Sequence, residues 1–329
     1  MEPKFFVGVD LSKMTMDFAL LHGNKPIRSY KIQNTEDSVR SFLKELKAEY
    51  NFKSREIVFC AENMGIYLDH LTKVLTEKNI IVFPESPLQI KKSLGIRRGK
   101  NDKLDAIRIV EYAKMNFQKL TPWVPPRECI LQLKKLTTIR KRLLKVRKIL
   151  TNEEKVRYHF LSHGESKEMK LYYKRSIDSV NEDIKALDEK MNSIVFSDQR
   201  LSNLVTLITS VPCIGKVIAF QIILSTNEFI SIYSSKQFAS YCGVAPFEWS
   251  SGASVTGKTK VSFYANKDIK ANLHLAAMGC LRQKNNDLYK YYLRKQKEGK
   301  NNMSILNAIR NKLLQRIFSC VNNSKIFSV

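Results

Sequence analysis

Over the first 120 positions apolar residues come in short runs and alternations, and beyond them they recur every three or four. "KFFVGVD" near the start is an apolar run that ends in an acid. "MDFALLHGNKPIRSYKI" reads as two strands joined by a turn at "HGNK". "NTEDSVRSFLKELKAEY" has helical spacing, with Asn34 or Thr35 as its cap. "REIVFCAE" is a buried strand ending in a second acid, Glu62. The helix "GIYLDHLTKVLTEK", the strand "NIIVFPE" and the helix "DKLDAIRIVEYAKMN" follow. Three strands, helix, strand, helix, strand, helix predicts an α/β domain with a mixed sheet.

The proline-rich "LTPWVPP" closes that domain, and the period changes. Leu136, Ile139, Leu143, Val146 and Leu150 repeat at spacings of three and four. Tyr173, Ile177, Val180, Ile184, Leu187, Met191 and Ile194 do the same. Two long helices with an a/d seam are expected, paired within the chain or between two copies of it. From about 198 a mostly helical unit begins: "LITSVPCIGKVIAFQIIL" reads as helix, tight turn, helix. "FASYCGVAPFEWSSGASVTGKTK" reads as a Gly/Ser-rich loop, and two amphipathic helices follow. The expected divisions are 1–122, 123–197 and 198–329.

Charge adds a partner to this picture. The 329 residues carry 56 Lys plus Arg against 31 Asp plus Glu, a net charge of +25. Such an excess points to a polyanion, most often nucleic acid. It is densest in "RKRLLKVRK" on the first long helix and in the stretch 91–100, which reads as a loop. The longest apolar run, "VIAFQIIL", is too short to span a membrane, and the N-terminus enters a strand with no signal-peptide pattern. The six cysteines are scattered without a CxxC, so neither a zinc knuckle nor a disulfide framework is indicated. The expected setting is cytoplasmic.

Against this basic background the stretch "GKNDKLDA" is anomalous, because Asp102 and Asp105 share one helix face. Taken alone, acids in a first turn complement the helix dipole or cap the helix. Asp10 and Glu62, each at a strand end, change that reading. If their strands are neighbours, both open onto the sheet edge that the helix can also reach. At about 4 Å each pair of carboxylates would repel by roughly 4 kcal/mol even at an effective dielectric near 20, so such a cluster calls for cations. Oxygen-only donors select Mg²⁺ or Mn²⁺.

These residues resemble a family. Asp10 in "FFVGVDLSK", Glu62 in "VFCAENMGIY" and the acids of "KNDKLDA" look like the carboxylate set of a RuvC-like nuclease domain with the RNase H fold. "ITSVPCIGKVIA" followed by "FASYCGVAPFEWSSGASVTGK" is similar to the C-terminal domain of DEDD-type insertion-sequence transposases, the bridge-RNA-guided serine recombinases whose relatives include pilin-gene invertases. The resemblance implies an α/β RuvC-like domain, a helical coiled-coil segment and a mostly helical transposase domain. It implies Asp10, Glu62, Asp102 and Asp105 as ligands of Mg²⁺ or Mn²⁺, and Ser251 of "SSG", with Ser250 adjacent, as the nucleophile toward a DNA phosphate. It further implies a structured guide RNA, target and donor DNA, and a homo-oligomer, dimer or tetramer, whose nuclease and transposase domains meet across subunits. A metal-dependent junction resolvase or nuclease using water is the alternative.

Two places depart from the family pattern. Its usual Pro-Gly-Ile-Gly turn reads Pro212-Cys213-Ile214-Gly215 here. Where it tends to carry a basic residue and a glycine, this chain has Phe263-Tyr264-Ala265, whose rings are expected in the core, with stacking on bases as the alternative.

Overall fold

Alternation along the first strand sets the layers of the N-terminal unit. The structure is a computed structural model that describes residues 3–23, 27–93, 95, 101–157, 163–251 and 255–328. It divides into two compact units, Met1–Pro125 and Pro126–Val329. In β1 (Phe5–Leu11) Phe5, Val7, Val9 and Leu11 enter one core, while Phe6 enters another on the opposite face. β2 (Thr15–His22) and β3 (Arg28–Gln33) continue antiparallel from it. α1 (Glu36–Tyr50) follows, capped by Thr35, whose hydroxyl accepts from the Ser38 amide. β4 (Ile57–Glu62) then lies parallel to β1, α2 (Asp69–Glu77) crosses back, and β5 (Ile81–Glu85) lies parallel to β4. The strand order is β3-β2-β1-β4-β5, with only β2 opposed to its neighbours on both sides, which is the RNase H arrangement. α1 and α2 cover one face through Val39, Phe42, Leu46, Leu71 and Leu75. After α3 (Pro87–Ser93), α4 (Asp102–Asn116) covers the other through Ala106, Ile109, Val110 and Ala113.

In the second unit α5 (Glu128–Arg157) and α6 (His163–Phe196) pack as an antiparallel pair within the chain. On α6 the expected seam residues Tyr173, Ile177, Val180, Ile184, Leu187, Met191 and Ile194 are all buried or half-buried. On α5 the seam is rotated. Leu136, Leu143 and Leu150 turn inward as expected, but Ile139 (44%) and Val146 (43%) are exposed. Arg140 and Arg147 occupy the inward positions instead. Arg140 makes a bidentate pair with Asp188 (2.6 and 3.1 Å), and Arg147 donates to Asn181 (3.2 Å). Polar partners on α6 thus draw Arg140 and Arg147 inward between the same three leucines.

The remaining elements are α7 (Gln199–Thr209), α8 (Lys216–Thr226), α9 (Ser235–Tyr241), β6 (Pro246–Ser251), β7 (Val255–Val261), α10 (Lys267–Arg282), α11 (Asp287–Lys297) and α12 (Asn302–Asn322). Ile309, Leu313, Leu314 and Ile317 of α12 are fully buried in one core with α7, α8, α9 and α10. Ile130, Leu133, Met191 and Val195 from α5 and α6 join that core.

Three sequence expectations are corrected here. The stretch read as a loop forms α9 and an antiparallel β6–β7 hairpin, because "PFEWS" and "VTGKTKV" offer each other a strand partner in spite of their small residues. Phe263 (80%) and Tyr264 (64%) stand in solvent rather than in the core. The basic stretch 91–100 is helical at its start, where it completes α3, and positions 94 and 96–100 lie outside the described residues. Cys213 adopts φ +65, the left-handed backbone that a glycine would supply without strain. The tight turn therefore keeps its shape with a different residue.

Candidate active site

One glycine lets the acids approach one another. A Cβ on Gly8 would stand 2.3 Å from the Ala106 carbonyl oxygen and 2.4 Å from the Val110 amide nitrogen. The backbone of α4 thus lies directly on β1, on the face that Asp10, two residues on, also uses. Asp105 precedes Ala106 and is carried to the same end of the sheet. Asn101, not Asp102, caps this helix, its side chain accepting from the Leu104 amide at 2.8 Å. The capping account of Asp102 is thereby overturned, and both aspartates lie in the first turn without capping it.

The sheet register extends the acidic set. Asp10 lies opposite Asp17 in β2, and Val9 is level with Ala61 of β4, which sets Glu62 beside Asp10. Glu62 is in turn level with Glu85 of β5. Four neighbouring strands thus each place a carboxylate at one end of the face that α4 covers. Sequence reading missed Asp17 and Glu85. The acid ending "NIIVFPE" was a visible signal for the second, whereas Asp17 in mid-strand gave none.

These acids sense one another. The Asp10 carboxyl is raised to about 6, first by burial and then by Glu62, Asp105, Asp102 and Asp17. Burial also raises Glu85, which accepts a hydrogen bond from the Tyr112 hydroxyl at 3.1 Å. Basic side chains offset part of the repulsion: Arg108 reaches Asp105 at 2.7 Å, and Lys31 reaches Asp17 at 3.1 Å and Asp102 at 3.8 Å. By charge and donor type the set fits a hard divalent cation. Among the described residues no group of three His, Cys, Asp or Glu is gathered into a metal-holding cluster.

Ser251 is the last residue of β6, paired with Val255, and Ser250 pairs with Thr256. Their side chains and residues 252–254 lie outside what the structure describes. The hairpin is rooted on two helices. The Val244 carbonyl accepts from Asn307 of α12 at 2.8 Å, and the Tyr241 carbonyl from the amide of Asn266, the cap of α10, at 2.9 Å.

Two family descriptions match these parts in order. A DEDD transposase domain of the IS110 type matches residues 7–156, and a transposase domain of the IS116/IS110/IS902 family matches residues 205–293. The chain belongs to the IS110-type transposases. The first match contains the strand-end acids and both aspartates of α4, the second the serine-bearing hairpin and α10. Relatives of this transposase include the pilin gene-inverting proteins of Moraxella bovis and Moraxella lacunata, each 25% identical over 98% of both chains. Two solved structures of Thermus thermophilus RuvC, one in complex with a Holliday junction substrate, are similar to 36% of the chain at 9% and 10% identity. They have TM-scores of 0.30 and 0.28 and are 99% covered. No helix among the described residues is long and apolar enough to cross a membrane.

Proposed function

We propose that this IS110-type transposase is a cytoplasmic, RNA-guided DNA recombinase that exchanges strands through a covalent link between Ser251 and a DNA phosphate. The observation that supports it best is the row of carboxylates at one end of the first sheet, in a chain whose second family domain carries the serine hairpin. Asp10, Glu62, Asp102 and Asp105 would hold Mg²⁺ or Mn²⁺, which would supply Lewis-acid polarisation of the phosphate oxygens when bound. Ser251 Oγ attacks phosphorus, forming a P–O bond to the serine as the bond to one strand oxygen breaks. The proton lost by the serine is balanced by the one the leaving strand takes up as its hydroxyl. The hydroxyl of a new strand then attacks the phosphoserine, rejoining DNA and returning a proton to Ser251. The exposed basic side chains Lys134, Lys135, Lys141, Arg142, Lys145 and Lys148 of α5 would hold nucleic-acid backbone, target and donor DNA or a structured guide RNA. Ile139, Val146 and Ile149, exposed at spacings of seven and three on the same helix, would pair copies of the chain into a dimer or tetramer.

The test is denaturing electrophoresis of labelled DNA after reaction with magnesium, guide RNA and both DNA partners. A labelled band carrying the mass of the protein, absent in Ser251→Ala and present in Ser250→Ala, is expected. Free nicked DNA of equal yield from the wild type and Ser251→Ala would hand the reaction to water. Loss of the adduct in Ser250→Ala alone would move the nucleophile by one residue.

A further inference from the structure

Arg310 of α12 is buried, with 5% of its surface exposed, and makes no ion pair with any described residue. Its Nη2 lies 3.2 Å from Nδ1 of His274, and its Nε has no hydrogen-bond partner. A guanidinium donates and never accepts, so Nδ1 is the acceptor and the ring proton of His274 stays on Nε2. Lys270 precedes His274 by one turn of α10 and shares its face. Burial and the charge of Arg310 both push the Lys270 ammonium down, and Lys270 too makes no ion pair with a described residue. From Tyr241 to Lys267 the sequence holds one acid, Glu248, and it is exposed.

Buried positive groups without a counter-ion are costly, and arginine cannot escape by losing its proton. The surroundings are built to bring a ligand close. Gly243 has φ +64, and a Cβ there would meet the Cβ of Ala265 at 2.4 Å and lie 3.6 Å from Nζ of Lys270. Bare backbone therefore borders the lysine. On the segment that returns from the hairpin, Phe263 and Tyr264 stand in solvent, with the Lys267 ammonium 5.1 Å from the Phe263 ring centre. Exposed rings beside a cation are a stacking platform for nucleobases.

We propose that Arg310, Lys270 and His274 form an anion site at the root of the β6–β7 hairpin that binds a phosphodiester group of a nucleic-acid strand whose bases rest on Phe263 and Tyr264. The class of occupant rests on the transposase reading, while the site itself stands on the uncompensated charges. A bound phosphate would fix the strand relative to the hairpin, on helices that belong to the core of the unit.

The test uses the full chain. Thermal unfolding is compared in sodium chloride and in inorganic phosphate at equal ionic strength, for the wild type, Lys270→Gln and Arg310→Gln. Phosphate should raise the midpoint of the wild type and leave both variants at their chloride values. If Arg310→Gln does not fold, the exchange at Lys270, which is only half-buried, decides the matter. Binding of a DNA duplex and of an RNA hairpin is then titrated against salt. Lys270→Gln should lower the slope of log K against log salt by about 0.9, the release of one phosphate contact. A drop with DNA alone assigns the site to DNA, and a drop with RNA alone assigns it to RNA. An equal phosphate response in the wild type and Lys270→Gln, with both slopes unchanged, overturns the proposal and leaves Arg310 as a structural arginine held by His274. Loss of the phosphate response in Lys270→Gln alongside a wild type that forms no DNA adduct would keep the anion site and discard the serine mechanism.

Discussion

At the scale of single residues, Gly8 carries as much of the candidate site as the acids do. An added methyl would meet the α4 backbone at under 2.5 Å, a contact that no rotamer change relieves. Gly8→Ala should therefore push α4, with Asp102 and Asp105, away from Asp10. The expected outcome is a loss of about 1–3 kcal/mol in thermal unfolding and a fall in strand cleavage greater than the stability loss explains. Normal cleavage in a folded Gly8→Ala protein would mean that the α4 acids do not work with Asp10. The neighbouring pair Asn101 and Asp102 separates capping from chemistry. Asn101→Ala removes the side chain that accepts from Leu104 and should cost about 1 kcal/mol while cleavage survives. Asp102→Ala loses only an exposed contact at 3.8 Å to Lys31, worth little in water, and should abolish cleavage with stability nearly unchanged. Urea denaturation and a nicking assay on both variants check the pair.

Among the elements, the entrance to α5 is held by charge as well as by the buried Ile130 and Leu133. Arg127 bridges Asp198 (2.6 Å) and Glu228 (2.6 Å), and the Glu228 side chain is 1% exposed. Arg200 gives Glu228 a second partner at 3.2 Å. Glu228 sits in a run of three left-handed residues, Asn227, Glu228 and Phe229, a backbone that persists only where its surroundings enforce it. Arg127→Ala should cost about 3 kcal/mol, because it leaves a buried carboxylate short of a counter-charge. The same pair sets an acid limit. Asp198 is held down to about 2, foremost by its hydrogen bond from Arg127. The folded value lies below the unfolded one of about 3.9. The contribution of Asp198 is thus complete above about pH 4 and disappears as pH falls toward 2. Unfolding midpoints taken from pH 5 to 2 should fall more steeply in the wild type than in Arg127→Ala. Parallel curves would remove Asp198 from the account.

For the whole molecule, net charge and exposed apolar residues make separate predictions. With a charge of +25 and a basic face on α5, binding to nucleic acid should weaken about 10³–10⁵-fold between roughly 50 and 200 mM salt, if about six to ten phosphates are contacted. Fluorescence anisotropy across that range checks it, and a binding constant that barely moves would exclude backbone contacts as the main source of affinity. Ile139→Glu with Val146→Glu should leave the helical circular dichroism of the chain intact, since both side chains are exposed. It should also lower the mass seen by light scattering to that of one chain. An unchanged mass would place the subunit interface elsewhere.

The apolar pattern by itself determined the elements of the first sheet, the long helices and the seam of α6, because alternation and heptad spacing record which faces are buried. The ordered motifs were enough to identify the transposase family, and strand-end acids marked Asp10 and Glu62. Other features depended on partners distant in sequence. On α5 the apolar repeat pointed Ile139 and Val146 inward, whereas pairing with Asp188 and Asn181 of α6 turns Arg140 and Arg147 there instead. Asp17 joined the acidic row only through the antiparallel register that sets it against Asp10. "GVAPFEWSSGASVTGKTK" read as a loop because its small residues carry little apolar period, and strand pairing rather than burial made it a hairpin. Arg310 looked like any polar residue of an amphipathic helix, until the packing of α12 on α10 buried it beside His274 with no acid among the described residues to meet it. Sequence periodicity states how much of an element is buried, whereas the identity of what it is buried against, and so the fate of each charge, is decided by tertiary contacts.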